Sequence, residues 1–335
     1  MGLWTSYRLR LRRKYWKLRA RRKGRELVVV QDRTAQITPS DILLFCTFRN
    51  EDVRLPFFLD YYRKLGVNHF ILIDNGSDDG GAAFVAAQPD VSLWSTDAHY
   101  GKSRYGMDWL THLQGTYAHD HWALTVDVDE FFIYPFCDTR PLQALADWLE
   151  ASEVRSFGTM LLDMYPKGRI SDAVYHRGED PFALTNWFDP GNYTLKLNEF
   201  YRNLWIQGGP RARMFFASKP RQAPALNKIP FVKWDRKFTY VSSTHMLLPR
   251  GLNLVYGQNG GEKTSGVLLH AKFLNTFSER ASQEATRAEH YGAGREYKSY
   301  SSEDDDPVIW CQWSEQYLNW RQLEAIGLMS KGNWA

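Results

Sequence analysis

From Asp41 to Val126 the chain alternates unbroken apolar runs with stretches of helical period. Ile42 to Phe48 is apolar almost throughout, the pattern of a strand buried on both faces. Asp52 to Leu65 places Val53, Phe57, Leu59, Tyr62 and Leu65 at helical spacing and closes on Gly66. His69 to Ile73 predicts a second strand, which runs into the turn-rich stretch Asp74-Asn75-Gly76-Ser77-Asp78-Asp79-Gly80. A short helix over Ala82 to Ala87, a strand over Val91 to Trp94, a helix over Tyr105 to Tyr117 and a strand over Trp122 to Val126 follow. This alternation predicts an α/β fold with a mostly parallel central sheet and crossover helices. Ligands in such sheets bind beyond the carboxyl ends of the strands. Those ends carry Thr47 to Glu51, Asp74 to Asp79, and Asp127 to Glu130.

The second half is less regular. A helix is expected over Pro141 to Ala151, and a strand over Phe157 to Leu162. Residues 163–265 are rich in Gly, Pro and aromatic side chains, with short strands expected at Phe231–Trp234 and Thr239–Ser242. A further strand is expected at Val267–His270, followed by a charged helix over Phe277 to Tyr291, an acidic break at Glu303 to Asp306 and a closing Trp-rich helix over Val308 to Ile326. No internal repeat is present.

Residues 3–25 change the picture of charge. Eleven of the 42 Lys and Arg fall within the first 25 residues, which hold no Asp or Glu. The formal charge of +4 therefore hides a net acidic body with a basic appendage, which argues against a nucleic-acid-binding domain. Trp4, Tyr7, Leu11, Tyr15 and Leu18 recur at spacings of three and four, with Arg8, Arg12, Arg19 and Arg22 between them and Gly24 as a stop. A basic amphipathic helix of this kind suits an anionic membrane surface. A disordered tail, or a helix packed on its own domain, are the alternatives. No apolar run approaches the roughly 20 residues that span a bilayer, and no signal-peptide pattern is present.

Composition adds two points. Aromatics reach 15% with 13 Trp, which suits sites for sugars or bases as well as ordinary core filling. Cys46, Cys137 and Cys311 are too sparse for a disulfide framework or a metal spacing. A reducing, cytoplasmic setting is expected, at the inner face of the membrane if the leader binds lipid.

The candidate chemistry lies in Asp127-Val128-Asp129-Glu130. Alternate residues of an extended chain share a side, so Asp127 and Asp129 can face the same way. Two nearby carboxylates resist joint ionisation unless a cation joins them. Hard oxygen ligands suit Mg2+ or Mn2+, which typically also hold substrate phosphates. An acidic solvated turn is the bland alternative. It loses ground here because the Asp-X-Asp motif follows the apolar run Ala123 to Val126 and precedes Phe131-Phe132. The Asp74 to Gly80 loop is either an ordinary turn or a set of groups for a base or ribose, with Asp74 and Asn75 the candidates.

Three stretches together resemble glycosyltransferase family-two-like proteins with the GT-A fold, and their relatives in family ninety-two. They are Thr47-Phe48-Arg49-Asn50-Glu51 with the helix that follows, Ile73 to Gly80, and Asp127-Val128-Asp129-Glu130-Phe131-Phe132. Leu268-Leu269-His270-Ala271-Lys272-Phe273-Leu274 also resembles that family's C-terminal histidine segment. The resemblance implies a Rossmann-like GT-A domain over 41–275, with a nucleotide-binding half at 41–135 and an irregular acceptor half at 136–275. A basic segment at 1–40 would precede it, and a helical region at 276–335 would follow.

By position, the resemblance implies that Thr47, Arg49 and Glu51 line the nucleotide pocket and that Asp74 contacts uracil or ribose. Asp127 would serve ribose and metal, Asp129 would ligate Mn2+ or Mg2+, and His270 would complete the shell, with His245 as its competitor. Lys102 and Arg104 begin the helix before the acidic strand. Cations there oppose the helix dipole, so donor phosphate is one reason for them and a solvated face the other. Gly208-Gly209-Pro210-Arg211-Ala212-Arg213 is a further candidate phosphate or acceptor contact. An inverting enzyme also needs a carboxylate to take the acceptor's proton, and Asp189, Glu199 and Asp163 are rivals for that role.

The expected activity is metal-dependent transfer of a sugar, inverting and UDP-linked by resemblance, from a nucleoside-diphosphate sugar to a glycan, lipid-linked or other hydroxyl acceptor in surface polysaccharide synthesis. A nucleotidyltransferase and a membrane-associated scaffold without turnover are the competing expectations.

Overall fold

Residues that are far apart in sequence meet here because of one strand order. The computed structural model describes residues 3–257, 262–277 and 306–334. Its strands in chain order are β1 (Val28–Gln31), β2 (Ile42–Phe48), β3 (His69–Asp74), β4 (Val91–Ser95), β5 (Trp122–Thr125), β6 (Glu130–Ile133), β7 (Ser156–Asp163), β8 (Trp187–Phe188), β9 (Tyr193–Asn198), β10 (Asn203–Gly208), β11 (Asn227–Lys233), β12 (Thr239–Tyr240), β13 (Leu247–Leu248), β14 (Gly266–His270) and β15 (Glu315–Gln316). The helices are α1 (Leu3–Lys23), α2 (Leu55–Leu65), α3 (Gly81–Ala86), α4 (Met107–Tyr117), α5 (Leu142–Ala151), α6 (Gly209–Phe215) and α7 (Trp320–Ala325).

Nine strands form one sheet in the order β1-β4-β3-β2-β5-β11-β7-β14-β6. β4, β3, β2 and β5 are mutually parallel. β11 runs against β5 and β7, β14 runs with β7, and the edge strands β1 and β6 are antiparallel to their neighbours. Six of the nine strands therefore point one way, which is the mixed α/β, mostly parallel architecture expected from the sequence.

Two cores flank the sheet, because successive side chains of a strand point to opposite faces. Leu44, Cys46 and Phe48 of β2 pack with Phe58, Leu59 and Tyr62 of α2 and with Leu145 and Leu149 of α5. Leu43 and Phe45 pack on the other face with Met107, Trp109 and Leu113 of α4. Each of these apolar side chains contributes roughly 1.5–3 kcal/mol on full burial. Gly66 ends α2 as expected: its left-handed backbone (φ 107°) lets its N–H reach the carbonyls of Tyr62 and Arg63.

Several expectations shift. α4 begins at Met107 rather than Tyr105, because Arg104, Tyr105 and Gly106 all take positive φ (54°, 58° and 76°). β1 joins the sheet edge ahead of Asp41, so the sheet starts earlier than the first long apolar run. The expected Val308 to Ile326 helix is corrected to α7 alone. The preceding residues are drawn out as β15 against β8, and Asn319 caps α7 by accepting from the N–H groups of Arg321 and Gln322. The expected charged helix from Phe277 to Tyr291 and the acidic break before Asp306 lie outside the described residues, apart from those two ends.

α1 is a 21-residue helix laid on the domain. Leu9 and Ala20 are buried, and Leu9 packs with Tyr201, Val241, Met246 and Leu248. Just beyond α1, Gly24 lies so close to His112 of α4 that a Cβ would not fit. The row picked out by sequence spacing, Trp4, Tyr7, Leu11, Tyr15 and Leu18, faces outward instead. No helix among the described residues is long and apolar enough to cross a membrane. The three cysteines are free thiols.

Candidate active site

β5 ends at Thr125 and β6 begins at Glu130, yet three strands lie between them in the sheet. The turn at 126–129 must therefore pass across the ends of β11, β7 and β14. β7 and β14 run with β5, so they present their carboxyl ends there, Asp163 and His270. β11 runs the other way and presents its first residues, Asn227 and Lys228. The Ala271 N–H donates to the Asp129 carbonyl at 2.9 Å, which fixes the turn to the end of β14.

His270 is the centre of this edge. Its Nδ1 lies 2.6 Å from Asp163 Oδ1 and its Nε2 lies 3.3 Å from Asp129 Oδ2. Asp163 also accepts from Arg211 Nε at 2.8 Å, and both are buried. Burial alone would raise the Asp163 carboxyl, but Arg211 and His270 outweigh it and hold it low. Burial likewise opposes charge on His270, while Asp129 and Asp163 pull its value up. The Asp129 carboxyl, pushed up by burial, is brought far below its ordinary range by His270, Arg54 and Lys272.

This pairing bears on a metal. With Nδ1 donating to Asp163, a neutral His270 would turn the Nε2 lone pair toward a carboxylate oxygen. That contact is repulsive unless a proton or a cation stands between them. The second-ring partner also fixes which nitrogen faces the site, as partners of metal-ligating histidines do. The carboxylate suits Mn2+ or Mg2+, and the imidazole nitrogen beside it favours Mn2+ over the harder Mg2+. Among the described residues no three His, Cys, Asp or Glu side chains converge as a ready-made metal cage. A cation here would therefore take its remaining oxygens from water and substrate.

Lys228 holds the acidic turn from below. Its Nζ lies 2.8 Å from Glu130 Oε1 and 3.6 Å from Asp127 Oδ2. Lys228 and Glu130 are buried, whereas the Asp127 side chain is 57% exposed. Burial pushes the Glu130 carboxyl up against the pull of Lys228. Burial opposes the Lys228 charge too, but Glu130 and Asp127 outweigh it. Tyr62 Oη donates to the Glu130 carbonyl at 2.7 Å and ties the turn to α2. Neither Lys228 nor Tyr62 stands out in the sequence as a site residue. A lysine inside the apolar run Asn227 to Val232 is nonetheless a visible signal, since a buried cation needs partners.

A cavity beside Asp127 is lined by Thr47, Tyr100, Tyr105, Met107, Thr125 and Thr244, with further atoms of Glu130 and Ser243. The hydroxyls of Thr47 and Thr244 are buried in it without a hydrogen-bond partner. Asp74 and Asn75 are buried and hold the neighbouring loops. Asp74 Oδ1 accepts from the Ser77 N–H and hydroxyl, and Asn75 Nδ2 donates to the Thr96 and Ala98 carbonyls. Arg49 Nη1 donates to the Asn75 carbonyl at 3.2 Å. Glu51 pairs with Arg54 at 3.0 Å. Lys102 is exposed, whereas Arg104 is engaged by Asp108 and by the carbonyls of Tyr240 and Val241.

The acceptor-side candidates are scattered. Asp163 is enclosed by His270 and Arg211 rather than open to solvent. Asp189 accepts from the Tyr165 hydroxyl and from Arg213 at 3.0 and 3.1 Å. Glu199 lies exposed in the turn between β9 and β10. His245 is turned to the Asn227 carbonyl, at 2.6 Å, while His270 is the histidine that faces Asp129. The Gly208 to Arg213 stretch supplies Arg211 and Arg213, each bound to one of these carboxylates. Gly208 is needed there because a Cβ would run into the Asn192 carbonyl.

No family model matches the sequence, and no curated protein matches it. Solved structures do overlap with it. Mannosyl-3-phosphoglycerate synthase from Rubrobacter xylanophilus is 18% identical with a TM-score of 0.26, over 42% of this chain and 50% of that one. Glucosyl-3-phosphoglycerate synthase from Mycobacterium tuberculosis, in complex with Mn2+, UDP and phosphoglyceric acid, is 15% identical with a TM-score of 0.23, over 40% and 46%. A 4-diphosphocytidyl-2C-methyl-D-erythritol synthase is 16% identical with a TM-score of 0.24, over 44% and 68%. The chain spans about half the length of the two phosphoglycerate-sugar synthases.

Proposed function

We propose that this chain is a metal-dependent glycosyltransferase. It would move a sugar from a nucleoside-diphosphate donor, UDP-linked, to a hydroxyl of a glycan or lipid-linked acceptor. The observation that supports this most is the meeting of Asp129 and His270 at the carboxyl edge of the sheet, 3.3 Å apart and beside an exposed Asp127. When bound, a divalent cation at Asp129 and His270 would supply positive charge next to the leaving diphosphate. Asp127 would face the metal and the donor ribose, and the cavity walled by Thr47, Tyr100 and Tyr105, about 40 Å³, would receive part of the donor.

Transfer with inversion requires a carboxylate for the acceptor's proton. Asp189, Glu199 and Asp163 are the candidates for that role: Asp163 and Asp189 are buried against Arg211 and Arg213, and Glu199 is exposed. The outward row of α1, with Arg8, Arg12 and Arg22 around it, suits an anionic membrane at which a lipid-linked acceptor would be met. A nucleotidyltransferase reading gains no support from the first strand's loop, since Phe45 to Arg54 contains no glycine for a phosphate cradle.

The test is UDP release from a panel of UDP-sugars, with and without Mn2+, alongside calorimetry with UDP and Mn2+. Wild type should bind UDP and turn over only with metal, and Asp129→Ala should lose at least about a hundredfold in turnover. A wild-type protein that neither binds UDP nor shows metal-dependent turnover would sink the proposal. Binding without turnover of any donor would favour a scaffold.

A further inference from the structure

We infer that Arg19, on the N-terminal helix, is a positioning residue for the donor pocket. The inference rests on reading the cavity beside Asp127 as the donor site. The segment from Tyr100 to Met107 forms one wall of that cavity. Within it, Arg104, Tyr105 and Gly106 are three successive residues at positive φ, two of them not glycine. Such a backbone persists only where its surroundings over-determine it.

Those surroundings are supplied in large part by α1. Arg19 Nε donates to Asp108 Oδ2 at 2.7 Å, and Arg19 Nη2 donates to the Lys102 carbonyl at 2.6 Å. Asp108 is fully buried and accepts from Arg104 Nε through its other oxygen, at 2.7 Å. The Arg104 guanidinium lies 4.3 Å from the ring centre of Trp16, one turn before Arg19. Arg19 thus grips the cavity wall at both ends: the backbone of Lys102 on one side, and the first turn of α4 on the other. The two bonds diverge from one planar fork, a geometry that a lysine ammonium does not reproduce.

Nothing in the metal edge requires α1, since Asp129, His270, Asp163 and Lys228 are held by the sheet. Loss of Arg19 should therefore loosen the nucleotide wall and leave the metal edge in place. The expected signature is weaker donor binding with an intact chemical step.

The experiment compares wild type with Arg19→Ala, Arg19→Lys and Trp16→Leu, using Lys14→Ala as an exposed control on the same helix. Steady-state kinetics with the UDP-sugar, UDP calorimetry with Mn2+ and hydrogen exchange over residues 100–108 are read for each. Arg19→Ala should raise donor KM and UDP Kd about tenfold, keep kcat within about twofold, and speed exchange across 100–108. Arg19→Lys should not rescue it, Lys14→Ala should match wild type, and Trp16→Leu should move in the same direction as Arg19→Ala. Trp16→Leu also carries the test if Arg19→Ala folds poorly. Wild-type donor affinity and exchange in both Arg19→Ala and Trp16→Leu would overturn the inference alone. A wild-type protein that binds no UDP would overturn it together with the proposed function.

Discussion

Lys228 and Glu130 form a buried ion pair, Nζ to Oε1 at 2.8 Å, where the amino end of β11 meets the start of β6. The pair explains how an acidic turn can rest on a strand that is otherwise apolar. It also separates two carboxylates that the sequence presents together: Glu130 turns inward to Lys228, while Asp127 stays largely open. Removing one partner of such a pair leaves a buried charge without its counter-charge. Lys228→Met should therefore cost about 3–5 kcal/mol in equilibrium denaturation, and Lys228→Met with Glu130→Gln should recover most of the loss. A double variant no more stable than the single one would show that the pair is not what Lys228 contributes.

Asp163 should matter for metal affinity without touching metal. It orients His270 and is itself held by Arg211. Asp163→Asn keeps the shape but removes the charge, and Mn2+ affinity measured by paramagnetic titration should fall about 10–100-fold. Unchanged Mn2+ affinity in a folded Asp163→Asn protein would count against the role assigned to the pair.

Gly106 should not tolerate a side chain. Its φ is 76°, and a Cβ would lie 2.9 Å from Thr47 Oγ1. Gly106→Ala is expected to lose about 1–3 kcal/mol, and the displaced Thr47 should weaken UDP binding as well. A variant of wild-type melting temperature and UDP affinity would contradict both parts.

His69 and His112 should each make mild acidification costly, against His270 and Glu130, whose raised values favour folding as pH falls. Burial holds the imidazoles of His69 and His112 below the ordinary histidine value, and His69 Nε2 lies 2.9 Å from the buried Ser92 hydroxyl. A group whose folded pKa is depressed contributes stability above the unfolded value, about 6.5. That contribution is lost as pH falls through the folded value. Between about pH 7.5 and about pH 5.5 the denaturation midpoint should change less unfavourably in His69→Gln than in wild type. An equal change in the variant would remove His69 as a cause.

The Rossmann-like half was legible because its strands are buried on both faces, so β2, β3 and β5 stand out as unbroken apolar runs. β9 was not, because Thr194, Leu195, Lys196 and Leu197 are all exposed and no apolar face marks the strand. β6 was hidden because Phe131-Phe132 reads as the tail of the acidic motif rather than as a strand. Asp127, Asp129 and His270 could be singled out by position, but their mutual placement follows from sheet order. The link from His270 to Asp163 spans 107 residues, a distance no local pattern records. Asp163 read as a free carboxylate for the same reason.

The insertion of β14 between β7 and β6 has a consequence for how the chain is made. Among the described residues β6 has no strand partner other than β14, and β14 is synthesised long after it. A chain halted before Gly266 would carry Phe131 and Phe132 on an unpaired strand, with the acidic turn lacking its histidine. Closing so long a loop is slow relative to local pairing. The far edge of the sheet and the Asp129–His270 pair would thus be completed in one late event. Until then the nascent protein would depend on other means to shield that strand.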